Sequence, residues 1–319
     1  MAAYYERRKG AVLSTTIDKY VYVSVHPYFN RKKTVCKYSK TEIVDDIASI
    51  KHPVFRVVLE KLWPSGGIEV TSNADIPSGT GLGSSSSFTV ALLNSIYSYR
   101  GTFTSKGRLA REACSIEIKE LKEPIGKQDQ YAAAYGGLNV IEFNPDGSVN
   151  VQPLMLSKEI VSRLQENLLM FYTYDQRDAR SILAEQKEET RKEDKFKILS
   201  KMVDLVYEAR DSLLMGDLNS FGLCLHKGWQ YKCQLSDKIS NPTIQKYYER
   251  ALEYGAIGGK LLGAGGGGFL LFYCEKENQN NLRKALFDLP ELPFRFDWQG
   301  AKIIYVGDKY VEEGFFEIS

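Results

Sequence analysis

The sequence predicts an α+β protein of two domains, with residues 1–160 in the first and residues 161–319 in the second. Strand-like and helical segments mix in the first half, and long charged helical segments dominate the second half. Each half also carries one glycine-rich segment, at 77–87 and at 263–268. Helices that pack on one side of a partly antiparallel sheet give an α+β architecture, and 319 residues suffice for two domains of ordinary size.

The first half is predicted to contain both sheet and helix. Alternation of β-branched, aromatic and polar residues predicts strands within 11–25, 68–72, 138–143 and 149–154. Apolar residues at helical spacing predict helices over 41–63, from about 84 to 96, and over 105–121. The residues at 144–147, Asn-Pro-Asp-Gly, suit a tight turn, so we expect an antiparallel hairpin at 138–154.

The second half is predicted to be rich in helix. Charged segments with helical spacing predict helices within 178–215 and over 219–229, 242–254 and 278–287. Apolar segments predict strands at 168–174, 269–273, 294–298 and 302–306. The glycine run at 263–268 therefore comes directly before a strand.

Composition argues against several classes of protein. The 42 basic and 40 acidic residues give a net charge of +2, so no strong field favours binding to nucleic acid or to an anionic membrane. The five cysteines form no C-x-x-C pair, which argues against a zinc site or a disulfide framework and indicates reduced thiols. The sequence contains no apolar run of about 18 residues, so it does not predict a membrane span. We expect a cytoplasmic location.

The segment at 77–87 has the composition of a phosphate-binding loop. Glycines occur at alternate positions, Gly79, Gly81 and Gly83, and four serines follow where a helix is predicted to begin. Without Cβ atoms the backbone can turn sharply and bring its N–H groups close to an anion, and the start of a helix adds unpaired N–H groups. A turn capped by serine is the alternative, although such a cap needs only one hydroxyl and one glycine. The sequence therefore predicts a nucleotide site.

Two common nucleotide folds do not fit. The run at 263–268 formally matches G-x-G-x-x-G, but a strand follows it instead of a helix, which disfavours a dinucleotide-binding fold. The segment at 77–87 lacks the lysine of the P-loop motif. The glycine run either permits close packing of backbones or, paired with the first glycine segment, closes over phosphate.

Phosphoryl transfer needs a metal ion to offset charge and a group that orients or deprotonates the acceptor hydroxyl. Carboxylates are the candidates, because the three histidines are widely spread along the chain. Asp129 lies in a small-residue segment between Gly126 and Gly136, where a helix cap is the alternative interpretation. Glu117 lies on a predicted helix, where an ordinary surface charge is the alternative.

In these residues the chain resembles the GHMP small-molecule kinases, the superfamily of galactokinase, homoserine kinase, mevalonate kinase and phosphomevalonate kinase. Residues 77–87 are similar to the nucleotide loop of that superfamily, and residues 260–268 are similar to its C-terminal glycine motif. Within the superfamily the chain most resembles bacterial D-glycero-D-manno-heptose 7-phosphate kinases. That closer resemblance is carried by residues 126–133, Ile116 with Glu117, Arg177, and Trp229 with Lys232.

The resemblance implies an N-terminal domain like ribosomal protein S5 and a ferredoxin-like C-terminal domain, with ATP and Mg²⁺ as cofactors. It implies that Asp129 is the catalytic carboxylate and that Ser85 and Glu117 hold the metal. The residues implied to surround the ATP phosphates are Pro77, Gly79, Thr80, Gly81, Leu82, Gly83, Ser84, Ser85, Ser86, Gly265 and Gly266.

Further charges are expected around the acceptor. We expect Lys127 to lie beside Asp129 and to lower the pKa of its carboxyl group. A phosphorylated sugar also requires cations, and guanidinium groups match phosphate oxygens in pairs. The candidates for contact with the substrate are Gln128, Arg177, Arg180 and Lys232, with helix-surface charge as the alternative for the three cations.

The implied reaction is phosphorylation of a sugar or sugar-phosphate hydroxyl, at the anomeric position of a heptose 7-phosphate. The alternatives are a kinase for another sugar, such as fucose or galactose, and a nucleotide-binding protein without catalysis. The second alternative arises because the similar proteins open with a strand and a Gly-Gly-Gly-Thr-Asp segment before the residues that match Tyr4 and Tyr5. We therefore expect one strand and an acidic sugar contact to be missing, and the exposed sheet edge to lower stability or to support a homodimer.

Overall fold

The computed structural model describes residues 2–174 and 179–307, with residues 179 and 180 as backbone only. The strands in this part of the chain are β1 (Gly10–Ser14), β2 (Thr16–Ile17), β3 (Val21–Pro27), β4 (Thr34–Lys37), β5 (Thr41–Val44), β6 (Ile68–Ala74), β7 (Asn139–Phe143), β8 (Val149–Pro153), β9 (Leu168–Tyr172), β10 (Ala256–Leu261), β11 (Phe269–Cys274) and β12 (Phe296–Asp297). The α-helices are α1 (Ala2–Tyr5), α2 (Pro53–Leu62), α3 (Ser84–Tyr99), α4 (Lys106–Cys114), α5 (Gln128–Tyr135), α6 (Lys158–Asn167), α7 (Ala179–Glu189), α8 (Glu193–Met215), α9 (Leu218–Cys233), α10 (Pro242–Glu253) and α11 (Gln279–Ala285). A 3₁₀ turn (Ile47–Ser49) precedes α2, and a π-helical segment (Ser115–Glu120) follows α4.

Antiparallel pairing dominates the sheets. The largest described sheet has the order β3-β6-β4-β5, in which only β4 and β6 are parallel. Two three-stranded sheets, β1-β7-β8 and β10-β11-β9, are antiparallel throughout, and β12 pairs with β2. The predicted hairpin is confirmed as β7 and β8. Sheets of this kind combined with many helices make the fold α+β, as the sequence predicted.

Three apolar cores hold these layers together. The first packs α2, α3 and α4 against the four-stranded sheet, and the second packs α9, α10 and α11 against β9, β10 and β11. The third contains Val140 of β7, Leu213 of α8 and Tyr273 of β11. This third core therefore packs side chains from both predicted domains against one another.

The ring of Phe55 supports the helix that follows the first glycine segment. Phe55 is fully buried, and its ring centroid lies 5.0 Å from that of Phe88 on α3. We expect Phe55→Ala to lower the free energy of unfolding by about 3–5 kcal/mol, because the truncation leaves a cavity. Phe29→Ala removes a phenyl ring from a residue that is 99% exposed. This substitution should change the free energy of unfolding by less than about 0.5 kcal/mol. Urea denaturation measures both, and equal losses would contradict the prediction.

Two sequence predictions about local structure are wrong. The predicted helix over 41–63 begins only at Pro53, and residues 41–44 form β5. A proline needs no hydrogen-bond acceptor at the first helical position, and the His52 ring accepts from the Phe55 N–H, so the helix starts there. Residues 302–306 do not form the predicted strand, and Ile304 and Tyr305 are 74% and 83% exposed. Apolar, β-branched residues form a strand only where a neighbouring strand completes the ladder.

Candidate active site

The first glycine segment leads into α3 with its backbone amides free of side-chain caps. Gly79, Gly81 and Gly83 all have positive φ angles, of 82°, 86° and 72°, a conformation that other residues rarely adopt. Gly83 is the N-cap residue, and among the described residues no side chain accepts a hydrogen bond from the first turn of α3. The serine-cap interpretation is therefore wrong. The N–H groups at the start of this 16-residue helix remain available to an anion.

The two glycine segments touch each other, backbone against backbone. A Cβ atom on Gly81 would lie 2.8 Å from the Leu262 carbonyl oxygen, and one on Gly263 would lie 2.5 Å from the Gly81 Cα. A Cβ atom on Gly268 would overlap the Thr80 carbonyl oxygen. Close backbone packing, the alternative interpretation of the glycine run, is thus real, and its partner is the first glycine segment.

Polar contacts hold the second glycine segment in place. The Gly266 N–H donates to the Ile239 carbonyl oxygen at 2.9 Å, and a Cβ atom on Gly265 would lie 2.8 Å from the Ile239 Cα. The Lys232 ammonium donates to the Gly263 carbonyl oxygen at 2.6 Å. The segment is therefore anchored by its own backbone and by a cation.

Asp129 borders the first glycine segment at the start of α3. It lies in the first turn of α5, and a Cβ atom on Gly83 would lie 3.5 Å from the Asp129 Cγ. Solvent reaches the carboxyl group, but the surrounding protein atoms raise its pKa by desolvation, against a hydrogen bond from Gln128 that lowers it. The helix-cap interpretation of Asp129 fails, since Lys127 is the N-cap residue and no side chain caps α5.

Lys127 does not act on Asp129 as the sequence suggested. Its ammonium group donates to the Gly147 carbonyl oxygen at 2.7 Å and lies 4.8 Å from the centre of the Tyr5 ring. Because the charge points to the hairpin turn, the pKa of Asp129 is raised by desolvation instead of lowered by Lys127. The predicted electrostatic role of Lys127 is therefore wrong.

Glu117 is a buried carboxylate surrounded by donors, not the surface charge that was its alternative interpretation. It is only 2% exposed. The hydroxyl groups of Ser86, Thr89 and Ser85 donate to it at 2.9, 3.0 and 3.3 Å, and the Gln130 amide donates as well. Desolvation raises the pKa of Glu117, and these hydrogen bonds oppose the rise. The π-helical segment and the start of α3 thus place Ser85 and Glu117 side by side.

Sequence reasoning did not identify Thr89 and Gln130 as parts of this cluster. Thr89 lies one helical turn after Ser85, so the spacing alone could have placed it on the same face. Gln130 is fully buried, but its partner Glu117 lies on a separate element. No local pattern could have revealed that contact.

Family models match both halves of the chain at the positions of this site. The model for the GHMP kinases N-terminal domain matches residues 49–137, and the model for the GHMP kinases C-terminal domain matches residues 205–289. Together the two models match more than half of the chain, and they include both glycine segments. The chain belongs to the GHMP kinase family.

Individual GHMP kinases are similar over nearly the full length. The chain is 28% identical over 294 residues to the D-glycero-alpha-D-manno-heptose 7-phosphate kinase of Campylobacter jejuni, which covers 89% of this chain and 87% of that protein. It is 26% identical to the galactokinase of Pyrococcus furiosus, over 92% of this chain and 91% of that protein. The crystal structure of a D-glycero-D-manno-heptose 1-phosphate kinase from Bacteroides thetaiotaomicron has the same fold, with a TM-score of 0.75 at 24% identity, over 95% of this chain and 93% of that one.

The structure does not bring all the predicted substrate contacts together at Asp129. Arg177 lies outside the described residues, and so does the side chain of Arg180. Lys232 lies at the second glycine segment, where it donates to the Leu261 and Gly263 carbonyl oxygens. No group of three or more His, Cys, Asp or Glu side chains within 2–174 and 179–307 could hold a metal ion. None of the helices in these ranges is long and apolar enough to cross a membrane.

Proposed function

We propose that this GHMP kinase transfers the terminal phosphoryl group of ATP to a hydroxyl group of a sugar phosphate, and that its acceptor is D-glycero-D-manno-heptose 7-phosphate, phosphorylated at the anomeric oxygen. The position of Asp129 carries the proposal, because it puts a carboxylate next to the amides that can hold the ATP phosphates. The similarity to the Campylobacter jejuni heptose 7-phosphate kinase supports the choice of acceptor.

Asp129 serves as the group that receives the proton of the attacking hydroxyl. Desolvation raises the pKa of its carboxyl group, which makes it a stronger base than an aspartate in water. Gln128 donates a hydrogen bond to the same carboxyl group and orients it. The hydroxyl oxygen then attacks the phosphorus of ATP, and ADP leaves.

The first glycine segment and the N-terminus of α3 bind the phosphates of ATP. Three positive-φ glycines turn the backbone of this segment just before α3, and the dipole of α3 adds partial positive charge at its start. The contact between Gly81 and Gly263 places the second segment against this loop, so Gly265 and Gly266 support the same site. Donors of this kind stabilise the charge that develops on the transferred group.

Ser85 and Glu117 fit a magnesium ion. The hydroxyl and the carboxylate are hard oxygen donors 3.3 Å apart, and Mg²⁺ in kinases is held by one or two carboxylates together with substrate phosphates. When bound, the ion would offset negative charge on the phosphates. The donors around Glu117 keep its carboxylate oriented toward Ser85.

The function is tested by following ADP release with a panel of acceptors. The panel contains D-glycero-D-manno-heptose 7-phosphate, the unphosphorylated heptose, galactose, fucose and mevalonate. The proposal expects the highest kcat/KM for the heptose phosphate. A higher value for galactose or fucose would show a different sugar kinase, and ATP binding in calorimetry without turnover of any acceptor would show a nucleotide-binding protein without catalysis.

Glu117→Gln should weaken the dependence on magnesium. The amide replaces a carboxylate that accepts four hydrogen bonds, and it removes one charged ligand. Loss of about 3 kcal/mol of charge stabilisation corresponds to about a 100-fold lower kcat. Titration calorimetry should also show that Mg²⁺ no longer strengthens ATP binding.

The control is Glu120→Gln, which changes an exposed glutamate three residues along the chain that pairs with Lys61. This variant should keep the wild-type response to magnesium. An unchanged response in Glu117→Gln would remove Glu117 from the metal site.

A further inference from the structure

A group of hydrogen-bond donors lies where α9 packs on β10, next to the second glycine segment. A Cβ atom on Gly258 would touch the backbone of Gly222 and His226, so this face of β10 lies against α9. Lys260 is two residues further along the strand and therefore projects from the same face. Lys232 lies in the last turn of α9, and its ammonium reaches the carbonyl oxygen of Leu261, the residue after Lys260, at 3.2 Å.

These donors lack an acidic partner in the part of the chain that the structure describes. Among the described residues, neither Lys232 nor Lys260 forms an ion pair, and the Lys260 ammonium has no hydrogen-bond partner. The indole N–H of Trp229, one turn before Lys232 on α9, is buried and also lacks an acceptor in this part of the structure. Lysine and tryptophan side chains donate only. Buried polar groups in native proteins are nearly always paired, so the buried indole N–H of Trp229 lacks an expected acceptor.

The electrostatics of the two lysines also indicate a site for an anion. Both side chains can be reached by solvent, yet the surrounding protein desolvates them. This desolvation lowers the pKa of Lys232 to about 7, with a further contribution from the charge of Lys260, and it also lowers the pKa of Lys260. Neutral carbonyl oxygens do not compensate two adjacent positive charges. A doubly charged anion between the two ammonium groups would compensate them.

We propose that Lys232 and Lys260, with the indole N–H of Trp229, form a receptor for the phosphate group that the sugar acceptor already carries. This inference rests on the proposed function and specifies its substrate class: sugar phosphates, in preference to free sugars. The ATP phosphates have their own receptor at the first glycine segment and α3. The lysine receptor is separate but adjacent, because Lys232 bonds Gly263 and Gly263 touches Gly81. A sugar phosphate that spans the two sites binds the lysine receptor through its own phosphate group, and its distant hydroxyl group lies at the Asp129 carboxylate.

Lys260→Met tests the receptor, because it removes the charge and keeps most of the apolar stem. Lys232 is less suitable since it also holds the glycine segment. With D-glycero-D-manno-heptose 7-phosphate, kcat/KM should fall about 10- to 100-fold, the effect expected for a lost charge-assisted hydrogen bond. With the unphosphorylated heptose, kcat/KM should stay the same, and so should the KM for ATP. Lys260→Arg should restore the preference for the phosphate.

The matched control is Lys246→Met, at an exposed lysine on α10 that should leave all these values unchanged. Inorganic phosphate serves as an independent probe: at millimolar concentration it should raise the Tm of the wild type and of Lys246→Met, and raise that of Lys260→Met less. Circular dichroism checks folding, and Lys260→Gln replaces the methionine variant if that variant does not fold.

The outcomes separate this inference from the proposed function. Equal loss of kcat/KM for the phosphorylated and unphosphorylated heptose in Lys260→Met would overturn the receptor while the kinase activity stands. A higher KM for ATP with unchanged acceptor preference would overturn it too, because the lysines would then serve the nucleotide. No turnover of any acceptor would overturn the proposed function, and loss of phosphate-induced stabilisation in Lys260→Met would still support the receptor.

Discussion

Asp129→Asn is expected to remove nearly all phosphoryl transfer while ATP still binds. The amide has almost the shape of the carboxyl group but cannot accept the proton of the acceptor hydroxyl. Loss of a general base lowers kcat by about 10²- to 10⁴-fold. ADP release measures the turnover, and calorimetry should show ATP affinity within about threefold of the wild type, because the proposed function assigns the phosphates to backbone amides of the first glycine segment and not to Asp129.

Asp146→Asn is the matched control for this substitution. Asp146 is an exposed aspartate in the turn of the β7–β8 hairpin, where it accepts hydrogen bonds from Ser148. The same chemical change there should leave kcat unchanged. If Asp129→Asn kept more than a tenth of the wild-type turnover, Asp129 could not be the base, and the proposed mechanism would be wrong.

Gly81→Ala is expected to separate the two glycine segments and to lower kcat/KM for ATP by about 100-fold. Its new Cβ atom would lie 2.8 Å from the Leu262 carbonyl oxygen and 3.1 Å from the Leu262 carbonyl carbon. Both are backbone atoms that cannot rotate away. A shift of about 1 Å in groups that position a substrate can cost about 10²-fold in rate.

Gly79→Ala separates this contact from backbone strain. Gly79 has nearly the same positive φ as Gly81, 82° against 86°, but no atom lies within 4 Å of its Cβ position. Both variants should therefore lose about 1 kcal/mol of stability in thermal unfolding from the left-handed backbone, and Gly81→Ala should lose more because its Cβ atom overlaps the Leu262 backbone. Only Gly81→Ala should lose most of its activity, and equal kcat/KM values for the two variants would show that the contact between the segments does not matter.

Much of the candidate site could be predicted because its signals are local. Glycines lack a Cβ atom and so permit sharp backbone turns, and Gly79, Gly81 and Gly83 all adopt positive φ angles. The start of α3 near Ser84 follows from the apolar periodicity after it. Asp129 and Glu117 were identified as candidates because phosphoryl transfer needs carboxylates and the chain offers few other groups.

Other features could not be predicted, because they depend on residues far apart in the chain. The helix predicted over 41–63 starts only at Pro53, since β4 lies beside residues 41–44 and pairs with them. The Lys127 ammonium group binds the hairpin turn instead of lying beside the Asp129 carboxyl group, because the Gly147 carbonyl oxygen accepts its hydrogen bond. Lys260 was counted in the C-terminal glycine motif but was not identified as a contact for the substrate, since only the packing of α9 on β10 brings it near Lys232.

The sequence by itself determined the α+β class, the glycine-rich loop and the helix that follows it, because the backbone freedom of glycine and side-chain periodicity act over a few residues. The tertiary structure alone decided that Gly81 meets Gly263 and that Glu117 is buried among Ser85, Ser86, Thr89 and Gln130. It also decided that Lys232 and Lys260 lie near each other with no acidic partner among the described residues. Contacts of this kind depend on how sheets and helices pack. Packing is driven by the burial of many side chains from distant parts of the chain, which no short segment contains.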